Sequence, residues 1–169
     1  SPVPFCAVAL VLIAAAGWEW GRLNGLKQAG SVVIALVCVA LCAAAWQAGW
    51  LVQPLRGVWL AAGAFWVLGS AFLLRAGVPG WPRIPQAVRV VVGVLALCLA
   101  WLAMAQARVI GTNFLLSVLV LVWAADICAY FAGRTWGLKF TKAKLAPSIS
   151  PGKSWEGVYG GLAVSLSIT

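Results

Sequence analysis

Apolar residues run along this chain in long blocks and do not alternate with polar ones. Five blocks can cross a bilayer, at residues 4–20, 31–51, 57–74, 87–106 and 110–133, and a sixth begins near Gly157 and runs to residue 169. A membrane-crossing helix needs about 20 mostly apolar residues. Within lipid its backbone N–H and C=O groups must pair inside the segment, which selects helix over open strand. The pattern predicts an all-α fold, a polytopic transmembrane helical bundle with five complete spans and part of a sixth. The six blocks form a single membrane domain over residues 1–169, with one polar loop at 134–156.

Breaker residues separate the blocks. Asn24-Gly25 lies between the first two, Gln53-Pro54 between the second and third, and Gly77-Val78-Pro79-Gly80-Trp81-Pro82 with Pro85 before the fourth. Proline fixes φ and has no N–H to donate, so helices stop there. Alternating the spans across a bilayer sorts the cations. Arg22, Lys27, Arg75, Arg83, Arg89, Arg134, Lys139, Lys142, Lys144 and Lys153 fall on one side, and only Arg56 and Arg108 on the other. Cytoplasmic loops carry the excess of Lys and Arg, so the larger group and the 134–156 loop are expected to face the cytoplasm. Trp18, Trp20, Trp50 and Trp81 lie near span ends, where indoles anchor at the interface.

Composition agrees with the pattern. The chain is 64% hydrophobic and 9% charged, against about 45–50% and about 25% for soluble domains. Mean hydropathy is +1.02. The net charge of +9 would suggest nucleic acid in a soluble protein. Here the cations sit between apolar blocks, where they set topology and meet headgroups or a phosphorylated substrate, and no nucleic-acid partner is expected. The chain contains no His, and its five cysteines lie inside apolar blocks without a C-x-x-C pair. They read as small hydrophobes. The first block has no basic stretch before Phe5, which argues against a signal peptide. The chain starts at Ser1 close to a span and stops inside another, so it is expected to be a fragment.

Three acidic residues stand out because there are so few: Glu19, Asp126 and Glu156. Glu19 lies three residues before Arg22 and is expected to pair with it. Asp126 is the one acid deep in a span, where an ionised carboxylate costs at least about 2.5–3.5 kcal/mol unless a metal, a cation or water compensates. Tyr130 and Arg134 follow at i+4 and i+8, so the three share one helical face. Beside it, Ala125, Ala129 and Gly133 form a small-residue stripe that admits a neighbouring helix closely. The loop then supplies Lys139, Lys142, Lys144 and Lys153 as cations, with Ser148, Ser150 and Ser154 as hydroxyl donors. Pro147, Pro151 and Gly152 shape its backbone. A helix starting near Ser154 would aim free amides at the same place, which suits phosphate. Gly152-Lys153-Ser154 is not a P-loop, because no strand precedes it and the motif's first glycine is missing.

The run Ala125-Asp126, Tyr130, Gly133-Arg134 and Gly137, followed by Lys144-Leu145-Ala146-Pro147-Ser148-Ile149-Ser150-Pro151-Gly152-Lys153-Ser154-Trp155-Glu156-Gly157, closely resembles the phosphatidate cytidylyltransferase (CDP-diacylglycerol synthase) family. Trp18-Glu19-Trp20 is also similar to that family. The resemblance implies a multi-pass enzyme of the bacterial inner membrane that condenses CTP with phosphatidic acid, giving CDP-diacylglycerol and pyrophosphate, with Mg²⁺ as cofactor. It implies Asp126 as metal ligand, with Asp126 and Lys153 in catalysis. CTP contacts would come from Lys144, Ser148, Ser150, Lys153, Ser154, Glu156, Arg134 and Tyr130. Ser154 stands where many relatives have Thr, and the hydroxyl is kept. The resemblance further implies that the family's metal-binding C-terminal signature is expected beyond this chain, and an early span before it. The fragment alone is therefore expected to be inactive, although its parent is an enzyme. CTP, phosphatidic acid and the bilayer are the implied partners, with a homodimer left open. A small multi-spanning transporter with Asp126 in its pathway, or a CTP-dependent lipid kinase, are the alternatives.

Overall fold

The computed structural model describes residues 2–141, 144–146 and 150–168. The elements in chain order are α1 (Val3–Leu23), α2 (Gln28–Gln47), α3 (Arg56–Gly80) with a 3₁₀ turn at Trp81–Arg83, α4 (Gln86–Ile110), α5 (Thr112–Trp136), β1 (Lys144–Ala146), β2 (Ser150–Ser154) and α6 (Trp155–Ile168). Among the described residues five helices, α1 to α5, are long and apolar enough to cross a membrane. The protein is a helical multi-pass membrane protein, as the hydropathy blocks predict. The chain divides into two compact units, residues 1–110 and 111–169.

In the first unit, α1 packs on α2 and α4, and α2 on α4. Gly17 and Gly21 of α1 face Ala35, Cys38 and Ser31 of α2, and a Cβ at Gly21 would stand 2.8 Å from the Ser31 Cα. Small residues four apart on both helices let the backbones approach, and packing replaces the hydrophobic effect as the source of association in lipid. Larger groups fill the other contact. Trp101 of α4 is buried among Cys6, Ala9 and Cys42, and its indole N–H donates to the Cys6 carbonyl at 3.3 Å. Cys6, Cys38 and Cys42 are fully buried free thiols, filling space as small hydrophobes.

Polar side chains tie the turns of this unit. Asn24-Gly25 closes α1, with Gly25 at φ 81°, a value glycine adopts without the Cβ clash other residues meet. Gln86 at the start of α4 donates to the Asn24 carbonyl at 2.6 Å. At the other end Gln106 donates to the carbonyls of Trp50 and Gln53 and accepts from the Trp59 indole at 3.0 Å. Glu19 and Arg22 pair at 3.4 Å on the exposed end of α1, as their spacing predicts. α3 runs past the expected end of its apolar block, with a break at Gly77, where φ is 60° and ψ −170°.

In the second unit, α5 packs closely against α6. Gly157 and Gly161 of α6 lie against the carbonyls of Ala129 and Ala125, where added Cβ atoms would stand 2.9 and 3.2 Å away, and a Cβ at Gly160 would collide with that of Ala132. The stripe predicted on α5 meets a matching glycine stripe on α6. The loop between them is not wholly irregular. β1 and β2 pair antiparallel, Lys144 opposite Ser154 and Ala146 opposite Ser150. Two steps on β1 match four on β2, so β2 bulges around Pro151 and Gly152. Proline has no donor for a ladder, and a bulge re-aims the side chains that follow it.

Candidate functional site

The second unit holds a cavity of about 210 Å³ lined by Gly133, Gly137, Leu138, Lys144, Gly152, Lys153 and Ser154. Each wall has a local cause. Gly133 and Gly137 end α5 on the face turned to Ser154, whose Oγ would stand 3.4 and 3.3 Å from a Cβ at either position. A side chain at Gly137 would also strike the Gly133 carbonyl. β1 carries Lys144 and the bulged end of β2 carries Lys153, so two ammonium groups reach one small space. Drug-sized ligand pockets run to about 300–1,000 Å³. This one suits the phosphate chain of a nucleotide and is too small for the nucleoside as well.

Ser154 caps α6. It is 6% exposed, and its Oγ accepts from the Gly157 N–H at 3.4 Å, the third residue of the helix, as N-cap serines do. Accepting with its oxygen leaves the hydroxyl proton free to donate into the cavity. The first-turn amides of α6 bring the partial positive charge of a helix N-terminus to the same place.

The turn out of α5 is strained. Gly137 has φ −52° and ψ 127°, and Leu138 follows at φ 64°, with Lys139 N–H donating to the Trp136 carbonyl at 2.9 Å. This is a type II turn, which normally carries glycine at its third residue. Here the glycine sits one place earlier, because Gly133 and Ser154 leave no room for a Cβ there. Leu138 takes the left-handed position instead, at a cost of about 1–2 kcal/mol. Strained backbone of this kind collects at functional sites.

Glu156 closes the loop. It is 6% exposed, and one oxygen, Oε1, accepts from Phe140 N–H at 3.1 Å, Thr141 N–H at 2.7 Å and the Thr141 hydroxyl at 2.8 Å. Burial pushes its pKa up, but the hydrogen bonds from the Thr141 backbone and hydroxyl, and from other backbone N–H groups, outweigh it and hold the carboxyl at about 2. Its ordinary value is 4.5. A depressed carboxylate stabilises the fold in full above that ordinary value and loses the contribution as pH falls through the folded one. The clasp is thus intact at neutral pH and is lost between about 4.5 and about 2.

The expected site residues divide. Lys144, Lys153 and Ser154 come together. Ser150 stands on β2 outside the cavity lining, and Ser148 lies outside the described residues. Glu156 is adjacent, with its bonded oxygen turned to the loop backbone. Arg134 donates to the Tyr130 hydroxyl at 2.9 Å, on the face that i, i+4 spacing predicts. Asp126, Tyr130 and Arg134 are all exposed on α5. Asp126 lies about 10 Å along the axis from Gly133, at 1.5 Å per residue, and makes no hydrogen bond or ion pair among the described residues. Sequence reasoning missed Gly133, Gly137 and Leu138 as cavity walls. The signal was there in part, since two glycines four apart next to a basic loop mark a place where a backbone must approach closely.

A magnesium site needs several oxygen ligands. Among the described residues no three carboxylate, thiol or imidazole groups are arranged to hold a metal ion, Glu19 is engaged by Arg22, and one Glu156 oxygen is saturated with donors. The donors in these residues do not make a magnesium site by themselves.

Fold and cavity together define a multi-spanning membrane protein with a cationic, hydroxyl-bearing pocket where two closely packed helices meet. A family model described as the cytidylyltransferase family matches residues 1–169, and the chain belongs to that family. It is 38% identical over 161 residues to the phosphatidate cytidylyltransferase of Pseudomonas aeruginosa, covering 90% of this chain and 55% of that protein. The phosphatidate cytidylyltransferase of Brucella suis is 37% identical over 116 residues, 66% of this chain and 39% of its own length. That of Haemophilus influenzae is 61% identical over 56 residues, 33% of this chain and 18% of its own. The chain thus spans about half the length, or less, of these relatives. No solved structure matches it.

Proposed function

We propose that the full-length protein is a phosphatidate cytidylyltransferase, and that the cavity between Gly133 and Ser154 holds the phosphates of CTP on the cytoplasmic face of a bacterial inner membrane. The observation that carries this reading is the convergence of Lys144, Lys153 and the Ser154 hydroxyl in a phosphate-sized space, in a chain whose relatives bear that name. The imbalance of ten cations to two across the bilayer supports the cytoplasmic placement.

In the reaction a phosphate oxygen of phosphatidate attacks the α-phosphorus of CTP, the bond to the β-phosphate breaks, and pyrophosphate departs with that electron pair. Negative charge grows on the leaving group. Preorganised donors aimed at such charge lower the barrier, each contributing about 10²–10³ in rate. Lys144 and Lys153 neutralise it, and the Ser154 hydroxyl donates to a non-bridging oxygen. A magnesium ion would supply further charge neutralisation, and Asp126, exposed on α5, would offer it one ligand at most from the described residues.

The test is direct. The full-length protein, supplied with radiolabelled CTP and phosphatidic acid, should yield a lipid carrying cytidylate. A phosphorylated lipid would indicate a CTP-dependent kinase instead, and no turnover would remove the reading.

A further inference from the structure

We propose that Glu156 is a positioning residue that clasps the two ends of the cationic loop together and thereby sets Lys144 against Lys153, without touching the phosphates itself. This rests on the reading of the cavity as the phosphate site.

The carboxylate reaches back 15 and 16 residues to Thr141 and Phe140. Two residues separate Thr141 from β1, whose first residue is Lys144. On its own side Glu156 stands three residues after Lys153 and two after Ser154. One side chain therefore fixes both approaches to the cavity. Three features argue against direct contact with substrate. Glu156 is absent from the cavity lining. Its Oε1 already accepts three donors. A negative carboxylate facing a triphosphate would oppose binding. The clasp also adjoins the strained turn, because Leu138, at φ 64°, lies two residues before Phe140.

The second oxygen supplies the discriminating variant. Oε2 is buried and has no hydrogen-bond partner among the described residues, so Glu156→Gln keeps an accepting oxygen at Oε1 and puts its amide nitrogen at the other position. Glu156→Ala removes the acceptor entirely.

The experiment compares both variants in the full-length protein, reconstituted in bilayer discs. It follows hydrogen exchange over residues 138–146 and steady-state kinetics with CTP. Glu156→Ala is expected to speed exchange in that segment about tenfold or more, and to raise the KM for CTP more than it lowers kcat. Glu156→Gln should stay within about threefold of wild type in both readouts, since only the tether is required. Thr141→Val, which keeps the backbone donor and deletes the hydroxyl, should shift both in the same direction by less. Unchanged exchange in Glu156→Ala would overturn the proposal. So would a Glu156→Gln protein with normal exchange and lost turnover, the mark of a carboxylate acting on substrate or metal. Exchange is read without any reaction, so absent CTP turnover in wild type would defeat the functional reading and leave the clasp to be judged on exchange alone.

Discussion

The two units share a small-residue helix contact, α1 on α2 and α5 on α6, and differ in what else joins their helices. In residues 1–110 large groups also interlock, with Trp101 buried against α1 and glutamines stitching the turns. In residues 111–169 almost nothing large lies between the helices, and α5 meets α6 through Ala125, Ala129, Ala132, Gly157, Gly160 and Gly161. The first arrangement tolerates some rearrangement, because side chains can adjust. The second brings backbone against backbone, so the position of Ser154 against Gly133 and Gly137 follows from helix spacing. Functional groups need placement within a fraction of an ångström, and the stiffer contact sits beside the candidate cavity.

Substitutions should separate the units. The largest effect is expected from Gly160→Leu, which wedges the α5–α6 contact where a Cβ already collides with Ala132. Turnover should fall to background, while hydrogen-exchange protection of α1, α2 and α4 is retained. Next come the cations. Lys153→Ala or Lys144→Ala should cost about 10²–10³ in kcat/KM, largely through weaker CTP binding. Asp126→Asn should abolish turnover yet leave CTP affinity near wild type, because Asp126 stands about 10 Å along α5 from the Gly133 wall of the cavity; a matching loss of affinity would place it at the phosphates. Ser154→Ala should cost about 1 kcal/mol of stability through the lost cap, with Ser154→Thr restoring both cap and activity. The smallest effect belongs to the first unit. Trp101→Phe deletes the hydrogen bond to the Cys6 carbonyl and should lower stability by about 0.6 kcal/mol, and no more than roughly 1.7, leaving the CTP constants unchanged. Thermal unfolding in detergent measures the stability terms.

Hydropathy located the spans, because burial in lipid acts on every side chain of a crossing helix. It marked the ends of the apolar blocks, which are not the ends of the helices. α1 continues from Trp20 to Leu23 because a Glu19–Arg22 pair is as compatible with helix as with interface. α3 continues past Leu74 until Gly77 breaks it. The small-residue stripe on α5 and the Asp126–Tyr130–Arg134 face followed from helical spacing. The equivalent contact of Gly17 and Gly21 with Ser31 and Ala35 was equally readable and was overlooked among many other small residues. The β1–β2 pair was not legible, since Pro151 and Gly152 argue for loop and only the bulge reconciles them with a strand. Nor was the destination of the Glu156 carboxylate, which depends on contacts 15 residues away. Composition offered the lysines and serines as candidates for phosphate; tertiary structure brings Lys144, Lys153 and Ser154 among them to one cavity.

The central claim concerns where the nucleotide binds, and equilibrium binding of CTP to the full-length protein tests it without requiring turnover. The double variant Lys144→Ala/Lys153→Ala should bind CTP at least about a hundredfold more weakly, a loss of about 2.7 kcal/mol, while Lys27→Ala, which removes a cation from the first unit, should bind as wild type does. Wild-type affinity in the double variant would show that the triphosphate is held elsewhere.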